Sequence, residues 1–201
     1  MLTFEQIAHF NTFGFLKLSQ VFSPDEIAVM MRESNEIMDE NRGSQSFDGQ
    51  KWQAVQPFFE RKPFLAKLPA DDRIYGLAES LLGPGFLLVG TEGNLHVGQT
   101  PWHGGDRGGI SLPGIKITFY LDTVTKETGA LRVIPGSHRP SSPDYLQILY
   151  DRNYDPDFMP FGVPPAEVPC FPLESRPGDL VVFTENVLHS SFGGRPGRHQ
   201  H

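Results

Sequence analysis

The sequence predicts an α+β fold with a mainly β body, and three observations support this prediction. Two segments with strong helix-start signals come first, and most of the short apolar runs typical of strands follow them. The runs are separated by turn residues, and the 201 residues include 21 glycines and 18 prolines. We therefore expect N-terminal helices packed on one sheet of a jelly-roll or cupin-like barrel.

Length and composition predict a single domain, residues 1–201, with a helical part at about 1–85 and the barrel at about 86–201. The net charge of -7 argues against nucleic-acid and acidic-membrane partners. No apolar run approaches the roughly 20 residues of a membrane span, and the N-terminus lacks a signal-peptide pattern. One cysteine, Cys170, fits a reducing environment, so we expect a cytoplasmic protein of undetermined oligomeric state.

The first helix is expected from Leu2 to Phe13. Thr3 is a suitable N-cap, and Gln6 follows three residues later and completes a capping box. Gly14 is expected to end the helix, because glycine tolerates the left-handed conformation at this position.

The second helix has the stronger start signal of the two. Ser23 is its expected N-cap, with Pro24 in the first turn and Glu26 completing a capping box. Apolar residues at helical spacing continue to about Asp39, and a third helix is expected over Pro69–Leu82.

Apolar alternation and flanking turn residues locate the strands. They are expected at 15–18, 86–89, 94–97, 115–121, 130–135 and 180–183, with another beginning at 187–189 and a strand or extended segment at 52–59. The polar loop 41–50 and the Pro-rich connection 141–169 are expected to cover a substrate site.

The stretch Thr100–Asp106 places the imidazole of His103 close in sequence to the carboxylate of Asp106. His189 lies far downstream, where an apolar strand ends. Two histidines and one carboxylate on one face of an ion leave its opposite face open, which is the ligand set of non-haem Fe(II). These three residues are the candidate metal ligands.

Several motifs, in order, resemble the phytanoyl-CoA dioxygenase-like branch of the Fe(II)/2-oxoglutarate oxygenases. They are Trp102-His103…Asp106, the block Gly129–His138 (Gly-Ala-Leu-Arg-Val-Ile-Pro-Gly-Ser-His), Pro177-Gly178-Asp179 and Leu188-His189-Ser190. The resemblance implies a double-stranded β-helix, Fe(II), 2-oxoglutarate and O2. It also implies oxidation of an unactivated C–H bond of a small-molecule substrate, with release of succinate and CO2.

The resemblance further implies an arginine about ten residues after the second histidine, for the distal carboxylate of 2-oxoglutarate. Arg198, nine residues after His189, fits this spacing better than Arg195. Gln99 and Thr100 precede the metal strand and are candidates for hydrogen bonds to the co-substrate. Lys116 would assist a carboxylate if it faces inward, and would be a solvated sheet residue if it faces outward.

Two departures from the family pattern leave alternatives open. The usual metal motif has one residue between histidine and carboxylate, whereas Gly104 and Gly105 separate His103 from Asp106. Either a β-bulge returns Asp106 to the metal, or Gly105 occupies the carboxylate position, as a small residue does in related halogenases. The pattern also continues beyond His201 in the family, so we expect a closing strand to be missing; a catalytically silent ligand-binding barrel is a third alternative.

Overall fold

Two facing antiparallel sheets form the body of the protein. The structure, a computed structural model, describes residues 1–43, 45–104, 114–140, 146, 148–151 and 158–200, without the side chains of 150, 151 and 195–200. Its strands are β1 (Phe15–Leu18), β2 (Gln53–Val55), β3 (Gly93–His103), β4 (Ile115–Phe119), β5 (Leu131–Val133), β6 (Phe171–Leu173), β7 (Leu180–Thr184) and β8 (His189–Gln200). Its α-helices are α1 (Phe4–Phe13), α2 (Pro24–Arg42), α3 (Asp72–Leu82) and the short α4 (Ile148–Asp151).

The strand order explains how distant segments of the chain meet. One sheet has three strands in the order β1-β7-β4, and the other has five in the order β2-β3-β8-β5-β6. The chain crosses between the sheets from β3 to β4 and again from β7 to β8, as in a jelly roll. The predicted α+β, cupin-like architecture is confirmed, although the described strands form two facing sheets rather than one closed barrel.

Both predicted capping boxes are present. The hydroxyl of Thr3 accepts a hydrogen bond from the Gln6 N–H, and Ser23 and Glu26 make the same reciprocal pair at the start of α2. Gly14 ends α1 in the left-handed conformation, at φ 84°. α3 begins later than predicted, at Asp72, because residues 65–70 form a 3-10 helix.

The helices α1, α2 and α3 cover the outer face of the three-stranded sheet. Buried residues of α2, among them Met30 and Ile37, pack in one cluster with Phe119, Leu180 and Val182 of β4 and β7. This cluster fixes the orientation of the three-stranded sheet, whose other face lines the space between the two sheets. The predicted packing of helices on one sheet is therefore correct.

Part of the space between the sheets is filled by an apolar cluster. Its members from the three-stranded sheet and the following turn are Phe15, Val181, Phe183 and Val187, and those from the five-stranded sheet are Leu131, Val133 and Leu173. The two sheets therefore share one interior, and residues on the same strand faces as this cluster also point into it.

Two strand predictions differ from the structure, and one strand was not predicted. Residues 86–89 are not a strand, because no described strand pairs with them, and Leu87 and Val89 are 84% and 99% exposed. The predicted strand 94–97 is the beginning of a longer strand, β3, that reaches His103. β6 was not predicted, since a three-residue strand containing Pro172 carries almost no alternation signal.

The connection 141–169 packs on the outer face of the five-stranded sheet where the structure describes it. Trp102 is buried there against Leu149, Phe158 and Leu188, and its indole N–H donates a hydrogen bond to the carbonyl of Pro165, 2.8 Å away. Trp102 is therefore a packing residue behind the strand that carries His103. Among the described residues, no helix has the length and apolar character needed to cross a membrane.

Candidate metal centre

The β3–β8 ladder brings the two candidate histidines together. The two strands are antiparallel, and His103 at the end of β3 is the partner of His189 at the start of β8. Because partners on neighbouring strands project to the same face, their rings meet, with centroids 4.0 Å apart and planes at 54°. Two residues far apart in the sequence thus form one imidazole pair, as predicted.

Each histidine makes the same hydrogen bond with the carbonyl two residues before it. Nδ1 of His103 lies 2.8 Å from the carbonyl of Pro101, and Nδ1 of His189 lies 2.8 Å from the carbonyl of Val187. A carbonyl only accepts, so both Nδ1 atoms carry the proton and donate it. The Nε2 lone pairs are therefore left for a metal ion, and the carbonyls fix the orientation of the rings.

The surroundings keep both imidazoles neutral. Burial is the main reason that the pKa of His189 is lowered to about 3, and electrostatic interactions with His103 and Lys116 lower it further. Burial and then the charge of Lys116 also lower the pKa of His103. A neutral imidazole is the form that coordinates a metal, so the site is prepared for one at neutral pH.

The pair lies at one end of the space between the sheets, which we call the mouth. β3 and β7 end there, β4 and β8 begin there, and Ile115 of β4 pairs with Thr184 of β7. The ring of Phe183, two residues after Val181 on the interior face, packs 5.0 Å from that of His189. Apolar surface therefore backs the histidine pair on the interior side.

Polar side chains continue from the pair along the β3–β8 ladder. Thr100 is the partner of Ser191, and the Thr100 hydroxyl lies 2.9 Å from Nε2 of His96. His96 is buried and is the backbone partner of Arg198. The interior face of this ladder thus offers polar groups on the side away from the mouth.

Lys116 lies on the interior face of β4. Its cross-strand partner is Phe183, which contacts His189, whereas its neighbours Ile115 and Ile117 pack on the helix side. Of the two orientations left open by the sequence, the inward one is observed. The side chain is nevertheless exposed, because it lies at the mouth.

The other candidate residues are only partly placed. Asp106 and Gly105 lie outside the described residues, as do the side chains of Arg195 and Arg198 in β8. Gln99 is exposed in β3. Among the residues that the structure describes, no third His, Cys, Asp or Glu joins the histidine pair into a three-ligand group.

Two residues of the site, Ser191 and Phe183, were missed by the sequence analysis. Alternation counted from His189 along β8 would have found Ser191 on the same face. The same count along β7 would not have identified the contact of Phe183 with His189, because it depends on how the two sheets pack.

The donors that are present fit a divalent transition metal. Two neutral imidazoles with free Nε2 atoms suit Fe(II), and their position at the mouth leaves access for further ligands. This geometry agrees with what the comparison with known families shows. The phytanoyl-CoA dioxygenase family model matches residues 10–197.

The chain belongs to the phytanoyl-CoA dioxygenase family. The predicted resemblance is thereby confirmed, and with it the enzyme class, a non-haem Fe(II)/2-oxoglutarate-dependent dioxygenase. Among curated relatives, ectoine dioxygenase of Sphingopyxis alaskensis is 27% identical, with 94% of this chain and 70% of that protein covered. Ectoine dioxygenase of Nocardia farcinica is 25% identical, over 93% and 71% of the two chains.

Solved structures of such oxygenases share the fold. EctD from S. alaskensis with 2-oxoglutarate and 5-hydroxyectoine matches with a TM-score of 0.70 and 21% identity, over 99% of this chain and 74% of that chain. HygX from Streptomyces hygroscopicus with nickel and 2-oxoglutarate bound matches with a TM-score of 0.78 and 20% identity, over 100% and 85% of the two chains. These similarities extend over nearly the whole of this chain.

Proposed function

We propose that His103, His189 and Asp106 hold Fe(II), and that the enzyme oxidises a C–H bond of a small molecule while 2-oxoglutarate is converted to succinate and CO2. The observation that carries this proposal is the imidazole pair, with both Nε2 atoms free and both rings neutral. A third ligand from Asp106 requires a bulge at Gly104 and Gly105, which glycine permits.

Iron with 2-oxoglutarate supplies the oxidising chemistry, and the protein supplies position and environment. The carbonyls of Pro101 and Val187 hold the imidazoles by their Nδ1 protons, so that the Nε2 atoms keep one orientation. Phe183 and the apolar cluster behind it keep bulk water away from the interior side of His189.

We place the co-substrate along the β3–β8 ladder, with its metal-chelating end at the histidine pair. Thr100 and Gln99 are the proposed hydrogen-bond donors along its path, and the Arg198 guanidinium is the proposed partner of its distal carboxylate. The backbone of Arg198 lies opposite His96, beyond Thr100 on the same ladder, which supports this direction.

The substrate that we infer is a small polar molecule. The similar curated proteins are named for ectoine, a compact zwitterion, and polar side chains of the β3–β8 ladder lie beside the histidine pair. We also infer a cytoplasmic location, because the single cysteine fits a reducing compartment.

The test is Fe(II) loading of the purified protein without oxygen, followed by addition of 2-oxoglutarate and air. We expect one iron per chain and release of succinate. If the protein neither binds iron nor releases succinate, the proposal is contradicted and the silent barrel is favoured. Asp106→Ala distinguishes the two active alternatives. If the variant loses iron binding or no longer releases succinate, Asp106 is a metal ligand. If it keeps both properties, the carboxylate position beside Gly105 is open, as in a halogenase.

A further inference from the structure

Lys116 is a charged residue on the interior face that the proposed iron site does not use. The β4–β7 register pairs it with Phe183, and Phe183 contacts His189 across the space between the sheets. Its neighbours Ile115 and Ile117 pack on the opposite face of β4, so the lysine side chain projects toward the histidine pair.

The position of Lys116 along β4 is at the mouth rather than in the interior. The chain leaves the five-stranded sheet at His103 and enters the three-stranded sheet at Ile115, so His103 and Lys116 flank the same connection. Lys116 is exposed, whereas Thr118, the next residue on the same face, is buried. Lys116 therefore lies on the solvent side of the mouth.

The charge of Lys116 is not balanced by any described residue. It makes no hydrogen bond and no ion pair within the described part of the chain, and the Glu185 carboxylate lies against Gly114 instead. This charge lies near the metal site, because the cross-strand partner of Lys116, Phe183, contacts His189. A cation beside a divalent metal opposes metal binding unless an anion lies between them.

We propose that Lys116 binds a carboxylate at the mouth of the oxygenase site. This inference rests on the proposed function, because it assumes iron and 2-oxoglutarate at the histidine pair. The carboxylate has two possible sources, the substrate and the co-substrate. The geometry favours the substrate, because Arg198 lies on the other sheet, beyond Thr100 and away from the mouth. The preferred substrate is then a small carboxylic acid.

Two pairs of ligands test this proposal by calorimetry on the Mn(II)-loaded protein, which binds but does not turn over. The first pair is 2-oxoglutarate and 2-oxopentanoate, which lacks only the distal carboxylate. The second pair is a carboxylic acid, ectoine or proline, and the carboxamide of the same acid. Each is added to the Mn(II)·2-oxoglutarate complex. The ratio of the two affinities in each pair measures the contribution of one carboxylate to binding. A misfolded variant binds both members of a pair more weakly, so it leaves the ratio unchanged.

The variants are Lys116→Met, which removes the charge and keeps most of the length, and Lys116→Arg, which keeps the charge. Lys67→Met is the matched control, because Lys67 is an exposed lysine on the helix side of the molecule. We expect Lys116→Met to reduce the acid-to-amide ratio roughly tenfold, Lys116→Arg to restore most of it, and Lys67→Met to change neither ratio.

The outcomes separate the two sources and the two proposals. A reduced acid-to-amide ratio identifies the substrate as the source, and a reduced 2-oxoglutarate ratio identifies the co-substrate. The role of Lys116 is overturned if Lys116→Met changes neither ratio. It is also overturned if the wild-type protein binds no acid in preference to its amide and Lys116→Met leaves the 2-oxoglutarate ratio intact. If the wild-type protein binds neither Mn(II) nor 2-oxoglutarate, the proposed function itself has failed.

Discussion

His103 and His189 are direct cross-strand partners, with ring centroids 4.0 Å apart at the mouth of the two-sheet interior. Each ring donates its Nδ1 proton to the carbonyl two residues before it, so the two Nε2 atoms remain available to one ion. The predictions below follow from this relationship and from the contacts that maintain it.

Replacement of either histidine should abolish metal binding. His103→Ala and His189→Ala each remove one Nε2 donor, and we expect a loss of Mn(II) affinity of 100-fold or more, on the order of 3 kcal/mol. Isothermal titration checks this result. His9→Gln is the control, because His9 lies on α1 and packs against Phe13. Equal affinity in all three variants would contradict the assignment.

Gly194 should be required for the β3–β8 ladder that aligns the histidines. A Cβ at this position would lie 2.5 Å from the carbonyl oxygen of Gly98 and 2.8 Å from Nδ1 of His96. We therefore expect Gly194→Ala to destabilise the protein by about 1–3 kcal/mol and to weaken Mn(II) binding. Urea unfolding and the same titration measure the two effects.

Gly90→Ala is the matched control for that substitution, because a Cβ at Gly90 meets no atom within 4 Å. It should leave stability and Mn(II) affinity near those of the wild type. If the two alanine variants behave alike, close packing at Gly194 does not support the ladder.

Trp102 should stabilise the connection that covers the five-stranded sheet. Trp102→Phe removes the hydrogen bond to Pro165 and part of the packing with Leu149, so we expect a loss of roughly 1–3 kcal/mol in urea unfolding. Trp52→Phe is the comparison, since Trp52 is 50% exposed although it also donates a hydrogen bond, to Asn94. A larger loss from Trp52→Phe would refute this account.

The Glu26–Arg73 ion pair should make stability depend on pH in the acid range. The hydrogen bond from Arg73 is the main reason that the pKa of Glu26 is lowered to about 2 from 4.5. Because the folded-state pKa is the lower one, the contribution is complete above about 4.5 and is lost as the pH falls toward about 2. Both side chains of the pair are partly exposed, so salt screens their interaction and the contribution is small at high salt.

Glu26→Gln keeps an acceptor for the Ser23 N–H and removes only the charge. It should be less stable than the wild type at pH 7 and equally stable near pH 2, as measured by thermal unfolding at several pH values. Glu79→Gln on α3, whose carboxylate pairs with no described cation, should show no such convergence. A constant difference between Glu26→Gln and wild type across the range would exclude the ion pair as its cause.

The helices and the inner strands could be predicted because their signals are local. Thr3, Gln6, Ser23 and Glu26 determine the starts of α1 and α2 through contacts within four residues of sequence. β1 coincides with its prediction, since its alternating residues face the two cores on either side of its sheet.

The remaining errors concern features that depend on distant partners. Residues 86–89 have the composition of a strand, but a strand also needs a neighbour, and no described segment pairs with them. The register shifts between His96 and His103 likewise depend on β8, so the sequence could not show which β3 residues face inward. For the same reason the inward orientation of Lys116 was left undecided. The predicted single domain and the ligand role of Asp106 stay predictions.

The most direct test of the central claim is anomalous diffraction at the manganese edge from crystals soaked with Mn(II) and 2-oxoglutarate. We predict one peak within about 2.2 Å of both His103 Nε2 and His189 Nε2, with the Asp106 carboxylate completing the protein ligands. A metal peak elsewhere, or none at the histidine pair at saturating Mn(II), would contradict the claim that these two imidazoles hold the catalytic ion.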